Sequence, residues 1–249
     1  MFRYFLDIAY NGTAYHGWQI QDNAHTVQQE LETCLGTILR QPVAIMGSGR
    51  TDTGVHARQQ IVHFDWAGEL GGAQLVYKLN SFLPPDISVA GLRKVGEEAH
   101  ARFDATERSY EYLLHQAKSP FLENLSYYFS RPLDVDLMNK AAEKLLGEQD
   151  FESFSRVKTE VNTFICTIKE ARWEKLNDSL VFHVTANRFL RGMVRALVGT
   201  LIEVGLGKLS VADFVSIIES KDRRSAGRAV PPHGLYLTRV VYPDSVYLD

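Results

Sequence analysis

The chain has 249 residues, 45% of them hydrophobic and 23% charged, the balance of a folded globular protein and not of a disordered one. That length predicts one large domain or two smaller ones, either able to bury a core. A formal charge of −3 with only two cysteines argues against a nonspecific nucleic-acid coat and excludes a disulfide framework, as expected of a protein in a reducing cytosol.

No apolar run approaches the roughly 20 residues that span a bilayer, and the first residues alternate in character instead of forming a charged start and an apolar stretch. The expectation is a cytoplasmic protein with no membrane association. Charge is uneven along the chain: between Arg188 and Arg228, eight basic residues face four acidic ones, so a basic face on an acidic body is expected.

The aromatic and aliphatic run Phe2 to Tyr10 predicts a strand ended by the turn pair Asn11-Gly12. Thr26 with Gln29 forms a capping box before Val27, Leu31, Cys34, Leu35, Ile38 and Leu39, which predicts a helix burying that face. Short apolar or alternating runs predict strands at Val43 to Met46, Ile61 to Trp66, Ile87 to Val95 and Tyr110 to Leu114, with helices at Gln74 to Phe82 and Val135 to Leu146. Further strands are expected at Phe164 to Trp173, Leu180 to Ala186 and Leu235 to Tyr242. Strand, helix, strand, strand, helix, strand thus occurs roughly twice, predicting an α+β protein of two halves, each an antiparallel sheet flanked by helices. The boundary is placed near residue 105, dividing residues 1–105 from residues 106–249.

The chemistry-bearing stretch is Met46 to Phe64, where three glycines, Arg50, Asp52 and two histidines precede an apolar strand. Loops held on rigid strands are where catalytic groups concentrate. In locally extended chain Arg50 and Asp52 point the same way, and a nearby guanidinium favours the ionised carboxylate a nucleophile needs. A surface Arg-Asp pair in a glycine-rich turn is the bland alternative. Asp52-Thr53-Gly54 is also the short signature of aspartic proteases, but those enzymes share one proton between two carboxylates, and this chain carries a single Asp-Thr-Gly preceded by no apolar strand. His56 and His63 lack a metal-ligand partner set, and Gly47-Ser48-Gly49 lacks the lysine of a phosphate loop.

Two further segments carry candidates. A strand through Arg108-Ser109-Tyr110-Glu111-Tyr112 places Arg108, Tyr110, Tyr112 and Leu114 on one face, able to stack on a base or equally to serve as a core strand. A helix expected from Arg188 to Val204 sets Leu190, Val194, Leu197 and Leu201 on one side and Arg188, Arg191 and Arg195 on an adjacent stripe, suited to phosphate or carboxylate contact. Spacing does not choose among the three arginines.

Together these segments resemble the tRNA pseudouridine synthase A family over nearly the whole length. The matching stretches are Tyr15-His16-Gly17-Trp18-Gln19, Gly49 to Ala57, Asn80-Ser81-Phe82-Leu83-Pro84, His100 to Ala105, Arg108 to Tyr112, Gly147 to Phe151, Phe189 to Arg195 and Gly234 to Leu237. The resemblance implies the pseudouridine synthase fold, two ferredoxin-like halves with an active-site cleft between them. It also implies a homodimeric isomerase without metal or cofactor that converts uridine to pseudouridine in the anticodon stem and loop of tRNA. By position, Asp52 matches the catalytic aspartate, Tyr110 the tyrosine that stacks on the target uracil, Arg195 the arginine that pairs with the aspartate, and Arg50 the one that enters the space left by the base. Arg58, His56, Arg188 and Arg191 are expected to contact RNA. Thr53, Gly192 and Ala99 depart from the family's usual residues without touching these roles. A protein that binds structured RNA without chemistry is the alternative from another class.

Overall fold

A computed structural model of the chain describes residues 1–156 and 162–248. The chain forms two compact units, Met1–Glu107 with Tyr236–Asp249, and Arg108–Leu235.

The first unit contains β1 (Phe2–Tyr10), α1 (Val27–Leu39), β2 (Met46–Gly47), β3 (His56–Trp66), α2 (Gly72–Phe82) and β4 (Ile87–Val95). Its sheet runs β4-β1-β3-β2, all antiparallel, the order of a ferredoxin-like unit. Alternation along β1 buries Tyr4, Leu6, Ile8 and Tyr10, and the apolar faces of α1 (Leu31, Leu35) and α2 (Leu75, Leu79) are buried as well. Each such leucine withdraws its side chain from water for roughly 1.5–3 kcal/mol. Phe5 points the other way and is buried too, because Tyr242 covers it with ring centroids 5.0 Å apart.

A strand that follows the second unit in sequence, β10 (Leu235–Val241), completes this sheet. It joins the free edge of β3 in parallel, Tyr236 opposite His56 and Leu237 opposite Ala57. β2 uses the same edge at its other end, Met46 opposite His63 and Gly47 opposite Val62. The chain from Ser48 to Val55 therefore leaves and rejoins one strand edge between two pairings. Opposite it, Ile8 pairs with Gln60 but Tyr10 with Ala57, so β3 carries an extra residue there, a bulge of the kind that re-aims side chains beside functional loops.

The expected strand Val43 to Met46 shrinks to Met46–Gly47. Helix side chains take the place of a ladder: the Ile45 N–H donates to Glu32 at 3.1 Å, and Gln28 donates to the Ile45 carbonyl at 3.2 Å. α1 begins where Thr26 predicts, its hydroxyl accepting from the Gln29 N–H, and Cys34 is buried on its core face. Burial pushes the Cys34 and Cys166 thiols up to about 11, which keeps both protonated and unreactive.

The second unit holds β5 (Glu107–His115), β6 (Tyr127–Tyr128), α3 (Val135–Ala142), β7 (Gly147–Asp150), β8 (Ile165–Leu176), β9 (Ser179–Ala186), α4 (Met193–Gly205) and α5 (Val211–Ser220). Its sheet runs β7-β8-β9-β5-β6, and β8 and β9 form a hairpin closed by Asn177 at φ 54 and Asp178. α5, absent from the sequence reading, is announced by a full capping box between Ser210 and Asp213.

The helix expected from Arg188 starts five residues late. Its N-cap is Gly192 in the left-handed region at φ 73, and residues 187–191 form a connection tied to β8 through Asn187, which exchanges hydrogen bonds of 2.9 and 3.1 Å with the Thr167 backbone. Arg188 and Arg191 are thus not on the helix, and the arginine stripe does not exist as drawn. α4 is buried around nearly its whole circumference, with Arg195 half-buried.

Candidate active site

Asp52 stands in a turn closed by its own carbonyl, which accepts from the Val55 N–H at 3.1 Å, with Gly54 at φ 75 supplying the left-handed residue. Thr51 is buried and its hydroxyl meets that of Tyr10 at 2.8 Å. Its neighbours Arg50 and Asp52 are exposed and half-buried, so the inward threonine sets the chain and leaves both charged residues at the surface.

The turn is clamped from two directions. On the β3 side, Gln60 is fully buried and donates to the Gly49 carbonyl at 2.8 Å while accepting from the Ser48 hydroxyl at 3.0 Å. On the other side lies the segment Tyr15 to Trp18, a resemblance motif to which the sequence assigned no role. The Trp18 N–H donates to the Thr51 carbonyl at 3.1 Å, and the Gly54 N–H to the Tyr15 carbonyl at 3.3 Å. Gly17, at φ 92, lies so close that an added Cβ would sit 2.6 Å from the Thr51 oxygen, and one on Gly12 would sit 2.0 Å from the Val55 oxygen. Glycines spaced through Asn11 to Trp18 were the available signal for this close backbone approach.

His56 is 1% exposed, its Nδ1 accepts from the Gly12 N–H at 3.0 Å, and its ring stacks on Tyr236 at 4.5 Å. These contacts place it in the scaffold of the turn, out of reach of a ligand. Arg58 is exposed with its guanidinium 5.2 Å from the Tyr236 ring centroid, so Tyr236 of the Gly234 to Leu237 motif, which the sequence left without a role, supports both residues.

In the second unit, Tyr110 lies on β5 opposite Val184 and is half-buried, its ring edge-on to Phe189 at 5.0 Å and 85°. Arg108, two residues earlier, donates to the Asn187 carbonyl at 3.1 Å. Tyr112 is the core member of the strand, fully buried, with its hydroxyl on the Pro231 carbonyl at 2.9 Å and its pKa pushed far up by burial. Arg195 donates from Nε to the Val230 carbonyl at 2.7 Å, and the Val230 N–H returns a bond to the Arg195 carbonyl at 3.1 Å. Its charge acts on Tyr112 and His233 nearby. Of the other two arginines, Arg188 is half-buried close to Cys166, and Arg191 is exposed with its carbonyl accepting from the Arg156 N–H at 3.0 Å.

Among the described residues, no group of three or more His, Cys, Asp or Glu side chains could hold a metal ion, and no helix is long and apolar enough to cross a membrane.

The chain matches the family profile described as tRNA pseudouridine synthase over residues 8–104 and 141–243. It is 50% identical over 252 residues to tRNA pseudouridine synthase A of Porphyromonas gingivalis, covering all of both chains. It is 48% identical to the enzyme of that name from Parabacteroides distasonis (99% of this chain, 98% of that one), and 41% identical to that from Bacillus subtilis (94% and 97%). The chain therefore belongs to the tRNA pseudouridine synthase A family, and it is an isomerase.

A fold-level prediction arises at the far end of β3. His63, 9% exposed, accepts the Ala101 N–H at Nδ1 (3.1 Å), and its pKa is lowered to about 4, mainly by burial and then by the charge of His100. A proton on Nδ1 would face that donor head-on. The folded state refuses a proton that the unfolded chain takes near pH 6.5, so this contribution is complete above about pH 6.5 and is lost as pH falls towards 4, reaching up to about 3 kcal/mol. Urea midpoints should fall between pH 7.5 and 5, and His63→Asn, which keeps an acceptor but cannot protonate, should remove much of that fall; parallel pH curves for the two proteins would refute the assignment.

Proposed function

We propose that the protein converts uridine to pseudouridine in the anticodon stem-loop of tRNA, with Asp52 as the nucleophilic carboxylate. The observation that carries this reading is the construction of the Asp52 turn: buried groups from β1, β3 and the Tyr15 to Trp18 segment hold the backbone, while Asp52 and Arg50 are left at the surface. A surface Arg-Asp pair has no need of such a scaffold. The family profile, which runs through this turn, supports the substrate class.

Extruding a base costs a few kcal/mol, which Arg50, entering the vacated space, and Tyr110, stacking on the uracil, offset. The Asp52 carboxylate, paired with Arg195, drives cleavage of the bond between N1 and C1′. The freed uracil turns, C5 bonds to C1′, the C5 proton leaves, and N1 takes up a proton, so the reaction is an isomerisation with no external reactant. Arg58, Arg188 and Arg191 meet phosphates. The enzyme acts as a cytoplasmic homodimer, for which sedimentation showing a fully active monomer is the refuting result.

The functional test is release of tritium to water from 5-tritiated uridine in unmodified tRNA. Release confined to anticodon stem-loop uridines supports the reading; none from the unaltered protein, with tRNA still bound, favours the non-catalytic RNA-binding alternative. For Tyr110, the Phe variant should bind tRNA as the parent does and turn over at least about 10²-fold more slowly if the hydroxyl assists C5 proton removal. Tyr110→Leu should weaken binding as well. Equal turnover by the parent and Tyr110→Phe would restrict Tyr110 to stacking.

A further inference from the structure

The turn Ala99 to Ala105 is built more firmly than its exposure suggests. The Arg102 and Phe103 N–H groups both donate to His100 Nδ1 at 3.1 and 3.3 Å, the His100 N–H donates to the Asp104 carboxylate at 2.7 Å, and the Asp104 N–H to the His100 carbonyl at 3.1 Å. The unit beneath supplies three more bonds: Ala101 N–H to His63, Tyr242 hydroxyl to the Ala101 carbonyl at 2.5 Å, and Arg3 to the Ala99 carbonyl at 3.0 Å. What this framework presents is one aromatic ring. Phe103 is 73% exposed, in contact with His100 at 4.3 Å and with the exposed Arg102 guanidinium 5.6 Å from its centroid.

The register of β1 and β3 places this ring. His63, under the turn, pairs with Phe5, on the face of the sheet opposite Leu6 and Ile8 and their helices. Asp7 lies on that face and accepts from Gln59, next to Arg58. The aromatic turn therefore shares the sheet face opposite α1 and α2, where Tyr242 and Tyr247 pack on Phe5, with the end of β3 that adjoins the Asp52 turn, roughly 20 Å along the strand from His56.

We infer that Phe103 and Arg102 form a second substrate contact, in which an unstacked base of the tRNA lies on the Phe103 ring and Arg102 meets its phosphate. This inference rests on the proposed tRNA substrate. Exposed aromatic and arginine side chains held in one geometry are how proteins grip unstacked bases, since every base has a π-face. A protein partner is the poorer fit. Stable interfaces bury about 800 Å² per partner around an apolar centre, whereas the exposed neighbours of Phe103 in sequence are Glu97, Glu98, Arg102 and Thr106.

The test uses the full chain, unmodified tRNA, and the variants Phe103→Ala, Phe103→Trp and Arg102→Gln. Phe103→Ala should weaken tRNA binding and raise KM about 5- to 50-fold with kcat within about 2-fold of the parent. Phe103→Trp should restore affinity, and its emission, beyond that of the parent's own tryptophans, should be quenched by tRNA. Arg102→Gln should reduce the salt slope of binding by about one. Unchanged affinity in Phe103→Ala overturns the contact, as does weakened self-association with tRNA binding falling only in proportion. Phe103-dependent binding without tritium release from the parent supports the contact while refuting the isomerase reading; tritium release with equal KM in parent and Phe103→Ala does the reverse.

Discussion

Asp52→Asn should abolish tritium release, lowering turnover by at least about 10³-fold, while tRNA affinity and melting temperature stay close to those of the parent. The amide has nearly the carboxylate's shape but neither its charge nor its nucleophilicity. Geometry explains why the change stays local: the turn is held through the backbone of residues 49, 51, 52 and 54 and through the buried Thr51 hydroxyl. Loss of stability comparable to the loss of turnover would mean that Asp52 is part of the scaffold, and retained release would remove it from the chemistry. Thr51→Val is the contrasting case, since it deprives the buried Tyr10 hydroxyl of a partner and should destabilise the unit by about 1–3 kcal/mol.

Gly199→Ala should be among the most damaging single methyl additions in the second unit. A Cβ at Gly199 would sit 1.9 Å from the Arg228 carbonyl oxygen, a backbone atom that no rotamer change can move aside. Residues 227–230 cross α4 at this point, with the Gly227 N–H on the Thr200 hydroxyl at 2.9 Å and Val230 bonded twice to Arg195. Overpacking of this kind costs about 1–3 kcal/mol and more where backbone must shift, which in a chain of this size lowers the melting temperature by roughly 10 °C. Because the displaced segment holds the Arg195 guanidinium through Val230, turnover should fall further than the unfolded fraction accounts for. Gly91→Ala, where a Cβ meets nothing within 4 Å, should leave both unchanged. Equal melting temperatures for Gly199→Ala and the parent would show that the segment yields easily and does not position Arg195.

Local patterns carried well into the structure where the signal was local. The Thr26 cap, the alternation of β1 and the span Ile87–Val95 follow from short-range chemistry and match the elements observed. Readings failed where distant groups intervened. Val43 to Ile45 has strand composition, but α1 side chains satisfy the Ile45 backbone. Arg188 to Gly192 has helical spacing, but Asn187 ties that stretch to β8 and Gly192 adopts the left-handed conformation. For His56, expected to be structural or to contact RNA, burial beneath Gly12 and Tyr236 places it in the scaffold.

The residues of the Asp52 turn, their order, and the membership of the family were determined by sequence alone, because motif order and the residue types that chemistry demands survive without coordinates. What the tertiary structure decided is how that turn is held. β10 returns from the far end of the chain to pair with β3 beside it, and the Tyr15 to Trp18 segment closes on it through backbone atoms and glycines. Backbone pairing between distant segments leaves no periodicity or charge pattern in either one, so a carboxylate that spacing made only a candidate becomes a positioned group through contacts that the local sequence does not encode.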